Sequence, residues 1–131
     1  MDRTRFIEHR GRRILFIDFS EMNDPGEALA EIAKVRRVVA EQPPESLLTL
    51  TDVTGTRYDD DIIQALKELA AHNRPYVRAA ASVTRTPLQL VALRASAIAT
   101  RRRLEAFGDL EEAKNWLVQQ GAAGVEIRRE G

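Results

Sequence analysis

Read as apolar and polar positions, the chain switches repeatedly between strand and helix periodicity, and each switch marks an element. Residues 5–9 and 12–19 are short strand candidates, and Gly11 between them allows a tight connection. The second is almost wholly apolar from Ile14 to Ile17, as in a strand covered on both faces, and Asp18 and Ser20 stand at its carboxyl end. A helix start follows: Asp24 as cap, Pro25 at the first helical position and Glu27 placed as in a capping box. Ala28, Ile32, Val35 and Val39 share one face with Leu29 beside them, and Pro43-Pro44 ends the run.

Residues 46–69 hold the stretch around which the rest is organised. An apolar run from Leu47 to Val53 predicts a buried strand. It leads into a loop with Thr54, Gly55, Thr56, Arg57 and Tyr58, then into Asp59, Asp60 and Asp61. The helix that follows buries Ile62, Leu66 and Leu69, a stripe widened by Ile63 and Ala65. His72 suits its negative end, and Asn73 tolerates a left-handed cap before Pro75.

Residues 76–83 are ambiguous, because alanine prefers helix; the position between Pro75 and another helix start favours a strand. Thr86, Pro87 and Gln89 repeat the capping logic and open a helix to about residue 100, with Leu90, Val91, Leu93, Ala97 and Ile98 expected to be buried. Residues 104–107 make a short strand. Asp109 and Glu112 form a third capping box, for a helix that turns Leu110, Ala113, Trp116 and Leu117 inward and stops at Gly121. Val125 and Ile127 alternate in a tail that reads as a loose edge strand or a frayed end. The order is β-β-α-β-α-β-α-β-α. That predicts an α/β fold, an open and mostly parallel sheet of about five strands with four helices and an antiparallel strand at one edge.

Composition narrows the function classes. The chain has 131 residues, 44% hydrophobic and 31% charged, which fits a single globular domain over 1–131 with an ordered core of about residues 5–120. Twenty basic and twenty acidic residues cancel, so no global field favours nucleic acid or an anionic membrane. The absence of cysteine excludes disulfides, thiolate nucleophiles and zinc–cysteine sites, and fits a cytoplasmic setting. No apolar run reaches the roughly 20 residues of a membrane span, and the charged amino terminus lacks the apolar core of a signal peptide.

Two stretches resemble the STAS-like superfamily, and more closely its SpoIIAA-like branch. TDVTGTRYDDDIIQAL, residues 51–66, is similar to the family's strand–loop–helix segment, in which an aspartate-serine-glycine sequence opens the second helix. FGDLEEAKNWL, residues 107–117, is similar to the closing strand and helix, including a tryptophan-leucine pair. The resemblance covers residues 6–118 and implies a STAS-like domain. In sporulation antagonists of this family, phosphorylation of a serine at the start of the second helix controls binding to a kinase-type anti-sigma partner. Ungapped matching places Asp60 on the family's aspartate and Asp61-Ile62 on its serine pair, and no Ser, Thr or Tyr lies between Asp59 and Leu69. The phosphorylation switch therefore does not carry over, and the aspartates hold the position negative.

The residues leave three site chemistries open. Asp59, Asp60 and Asp61 would hold a divalent cation or meet a basic partner, but acids in a first helical turn also follow from capping and the helix dipole. Asp18, Asp52 and Thr84 end three successive strands, as in a receiver-type phosphoacceptor site; Lys34, Lys67 and Lys114 all fall within helices, away from where such a site needs its lysine. Thr54, Thr56 and Arg57, with Thr84, Arg85 and Thr86, would hold a phosphate or carboxylate at one sheet edge. His9 and His72 lack paired acids at catalytic spacing. The expectation is a non-enzymatic, cytoplasmic, regulatory protein-interaction domain without cofactor, metal, nucleic acid or membrane insertion. It would present Asp52, Thr54, Thr56, Arg57, Tyr58, Asp59, Asp60, Asp61, Thr84 and Arg85 to a protein partner. The alternative is a lipid or nucleotide carrier using the same edge; a metal-dependent hydrolase ranks third, and homodimerisation stays open.

Overall fold

The computed structural model describes residues 2–56, 59–88, 90, 91, 94 and 104–130, with the side chains of 122–130 excepted. Its sheet has five strands in the order β1-β2-β3-β4-β5: Thr4–His9, Arg12–Asp18, Leu47–Asp52, Val77–Val83 and Leu104–Phe107. The β1–β2 hairpin is antiparallel and every later neighbour is parallel. Arg10 and Gly11 turn the hairpin with φ of 51° and 79°, the left-handed conformation that a two-residue turn requires.

Strand β2 shows why the sheet is central. Ile14, Leu15, Phe16 and Ile17 are all buried, and alternation sends them to opposite faces. Leu15 and Ile17 join a core with Leu47, with Ala28, Ile32, Val35 and Val39 of helix α1 (Pro25–Ala40), and with Ile62 and Leu69 of helix α2 (Asp60–Asn73). Ile14 and Phe16 join a second core on the other face with Leu48, Leu50, Ala79, Ala81 and Val83, closed by Ala113 and Leu117 of helix α3 (Leu110–Glu130). Trp116 packs at the margin of this second core, its ring 5.8 Å from that of Phe107.

The caps form as their sequences require. The carboxylates of Asp24, Asp59 and Asp109 accept the N–H groups of Glu27, Ile62 and Glu112 at 3.1, 2.8 and 3.0 Å. The ambiguous 76–83 stretch is strand β4, entered through a 3-10 turn at Arg74–Tyr76 that contains Pro75. That turn also corrects the expected left-handed cap: Asn73 is right-handed, with φ −76°, because the chain continues directly into the turn.

Two further expectations change. Helix α3 does not stop at Gly121 but runs to Glu130, so Val125 and Ile127 lie in helix rather than in an edge strand. Gly121 lies inside the helix where it packs on the sheet: a Cβ there would meet Cδ1 of Leu48 at 3.4 Å, an ordinary van der Waals contact. Val91, expected to be buried, is exposed, as is Leu88 before it. Most of the helix expected at 86–100, including Gln89, Leu93, Ala97 and Ile98, lies outside the described residues; Pro87, Leu88, Leu90, Val91 and Arg94 are helical.

Candidate functional site

The carboxyl edge of the parallel strands is a run of loops that bond to one another. Past the strand ends, Phe19 N–H donates to the Asp52 carbonyl at 2.9 Å, and Glu21 N–H to the Thr54 carbonyl at 2.8 Å. Val53 N–H donates to the Val83 carbonyl at 2.9 Å, and Thr84 N–H to the Phe107 carbonyl at 3.0 Å. The sheet ladder is thereby prolonged into the loops that hold the expected site, and four strands set their positions.

Side chains complete this lacing. Asp52 Oδ1 accepts the Thr54 N–H at 3.0 Å, and Asp18 Oδ1 accepts the Ser20 N–H at 2.9 Å together with the Ser20 hydroxyl. Both are local turns in which the carboxylate replaces a backbone acceptor. The Thr56 hydroxyl donates to the Phe19 carbonyl, tying the β3–α2 loop to the β2–α1 loop. Gly55 has φ 71°, and a Cβ there would collide with the carboxylate of Glu21, itself left-handed at φ 55°. Nothing in the sequence pattern marks Glu21 as part of this edge.

The acidic turn is built differently. Asp59 caps α2, while Asp60 and Asp61 are exposed in its first turn. Among the described residues, neither has a hydrogen bond or an ion pair, and no cluster of three or more His, Asp or Glu side chains is placed to hold a metal. Successive residues on a helix point about 100° apart, so the three carboxylates diverge. Ile63, expected to widen the buried stripe, is 40% exposed and stands one turn from Asp60. Arg57 and Tyr58, the other expected members of this loop, lie outside the described residues.

Across the edge, Thr84 is 1% exposed and its hydroxyl accepts the Thr86 N–H at 3.2 Å, whereas Arg85 is exposed. Asp18 and Asp52 are register partners, and Thr84 follows at the end of β4. The carboxylates of both aspartates face their own turns. Lys34 pairs with Asp2 at 3.2 Å, Lys114 lies 3.8 Å from Glu111, and Lys67 is exposed on α2, so no lysine completes a phosphoacceptor site. Below the edge, Thr51 and Ser82 are register partners and, with Ala80, are only half-buried on the α2 side of β4. Arg78, at the foot of the same strand, has a buried Nε without a hydrogen-bond partner.

No protein-family model matches the chain, and no curated protein matches it by sequence. The structure is similar to a crystal structure from Shewanella loihica PV-4, described as an uncharacterized protein of the DUF3478 family with a SpoIIAA-like fold. The TM-score is 0.72 at 15% identity, over 87% of this chain and 91% of that one. The fold is therefore SpoIIAA-like, as the two resembling stretches implied. At that identity the likeness establishes architecture and leaves function to the residues.

Proposed function

We propose that this SpoIIAA-like domain is a non-enzymatic, cytoplasmic, regulatory protein-interaction module that presents the first turn of α2 to another protein. The observation that carries this reading is the division of labour among the three aspartates. Asp59 alone caps the helix; Asp60 and Asp61 face solvent without a partner, beside the exposed Ile63. A helix-dipole contribution of about 0.3–1 kcal/mol accounts for first-turn acids in general. Ile63 adds an apolar contact beside the two acids, the mix of apolar centre and charged rim that protein interfaces use. The aspartates also give this turn a fixed negative charge where the resembled family has a switchable serine, so the interaction is constitutive. The partner surface is basic with an apolar centre.

Affinity capture tests this, using the purified chain as bait and comparing wild type with the Asp60→Arg/Asp61→Arg variant. The variant is expected to keep its melting temperature within a few degrees and to lose the proteins that wild type retains. Retention of the same proteins by a folded variant would remove the reading.

The unpartnered Nε of Arg78 and, further along the strands, the half-buried Thr51, Ala80 and Ser82 favour a second reading, a small-molecule carrier that binds on β3 and β4. Its ligand would be anionic, since a buried guanidinium N–H without an acceptor asks for one. Native mass spectrometry of the purified protein decides it: a co-purifying anion lost on Arg78→Met supports the carrier, and a bare chain mass opposes it.

A further inference from the structure

Two patches of this chain are complementary to each other and neither is covered. Leu88 is 80% exposed and Val91 64% exposed, three residues apart on one helical face. Arg85 and Arg94, both exposed, stand on either side of them, and Arg94 Nε donates to the Ala106 carbonyl at 3.3 Å. Between Glu68 and Glu105 the sequence has no carboxylate but carries Arg74, Arg78, Arg85, Arg94 and three more arginines at 101–103. The zero net charge thus conceals a basic stretch in the sequence, of which Arg85 and Arg94 flank the apolar pair and favour an anionic partner. The first turn of α2 has the opposite composition, with exposed Ile63 beside the unpaired Asp60 and Asp61.

The two patches lie on successive connections of the sheet, β3–β4 and β4–β5. Strands β3, β4 and β5 are successive parallel neighbours, so the β3–β4 and β4–β5 connections step across the sheet in the same direction. Helix α2 packs on the face of Leu15 and Ile17, as a right-handed crossover requires. Both connections begin at the carboxyl edge, α2 at Asp60 and the second connection at Thr84.

We propose that a second copy of this chain covers the apolar pair, in a two-fold dimer. Ile63, Asp60 and Asp61 of each copy meet Leu88, Val91, Arg85 and Arg94 of the other. A two-fold axis brings each patch onto its complement twice, so the contact closes at two copies. Packing the Leu88 patch against itself would set arginine against arginine, and packing α2 against itself would set aspartate against aspartate; the crossed arrangement avoids both. So few side chains fall short of the roughly 800 Å² per partner of a standard interface, so the dimer is weak and exchanges readily. It occupies the turn assigned above to another protein, and self-association then competes with that partner. The dimer needs no such partner to exist, so its test involves this chain alone.

Sedimentation equilibrium of the full chain in low and high salt tests it, over roughly 10 µM to 1 mM, the range of a weak contact. Wild type is expected to approach twice the monomer mass in low salt and to fall back in high salt, as screening of a charged rim requires. Asp60→Arg/Asp61→Arg alone and Arg85→Glu/Arg94→Glu alone are each expected to stay monomeric. An equimolar mixture of the two variants is expected to regain the dimer, because each then offers the charge the other lacks; that recovery also shows that both are folded. A wild type that stays monomeric throughout overturns the proposal. So does self-association that survives in either variant by itself. Leu88- and Val91-dependent sedimentation with anionic vesicles by a chain that never dimerises would assign the patch to a membrane and equally overturn it.

Discussion

The loop between β3 and α2 has two halves that obey different rules. In the inner half, Asp52 to Thr56, the polar groups are turned inward: a carboxylate to its own turn, a hydroxyl to the neighbouring loop, and a glycine held against Glu21. In the outer half, Asp59 makes the cap, and then Asp60, Asp61 and Ile63 face water. The inner half explains its residues by the structure it builds. The outer half does not, and on that contrast we base the proposal that the working surface lies on α2 rather than in the loop's hydroxyls.

Substitutions can break or sharpen this contrast. Gly55→Ala should cost most, about 1–2 kcal/mol in urea unfolding, because it forces alanine into the left-handed conformation, while the exposed Glu21 carboxylate swings aside. Asp59→Ala should cost about 1 kcal/mol through the lost cap, with the midpoint shifted and the slope unchanged. Thr56→Val should cost about 0.5–1.5 kcal/mol, since the Phe19 carbonyl loses the hydroxyl and keeps only the Met22 N–H at 3.3 Å. Asp60→Asn with Asp61→Asn should change stability least, by less than about 1 kcal/mol for each and less still in high salt, because only the dipole contribution is lost. If the last pair proves as costly as Gly55→Ala, the outer half is structural too and the contrast dissolves.

The architecture was largely legible in the sequence because its signals are local. Asp24, Asp59 and Asp109 each cap the helix they announce, and the apolar Ile14 to Ile17 run is the doubly covered strand it suggests. Pro75 decided the alanine-rich stretch, because the 3-10 turn it sits in leaves the chain extended. What failed depends on distant packing. Gly121 reads as a helix stop, yet Leu48 of β3 lies against it and the helix continues. Val91 fits a buried stripe by period, but no period tells whether a helix face meets the sheet or the solvent. At the site, the aspartates were visible and their division of labour was not, since capping by Asp59 alone is a matter of which carboxylate reaches the Ile62 N–H. Glu21 was illegible for the same reason: it reaches Gly55 only after two strands have paired.

Site-specific photo-crosslinking in living cells tests the central claim most directly, with a photoreactive residue at Ile63 and, as control, at the exposed Glu112 near the start of α3. Adducts at position 63 to a protein other than this chain, abolished by Asp60→Arg/Asp61→Arg and absent at position 112, are the predicted result. No adduct at 63, adducts to this chain alone, or equal adducts at both positions would contradict the proposal that the α2 turn meets another protein.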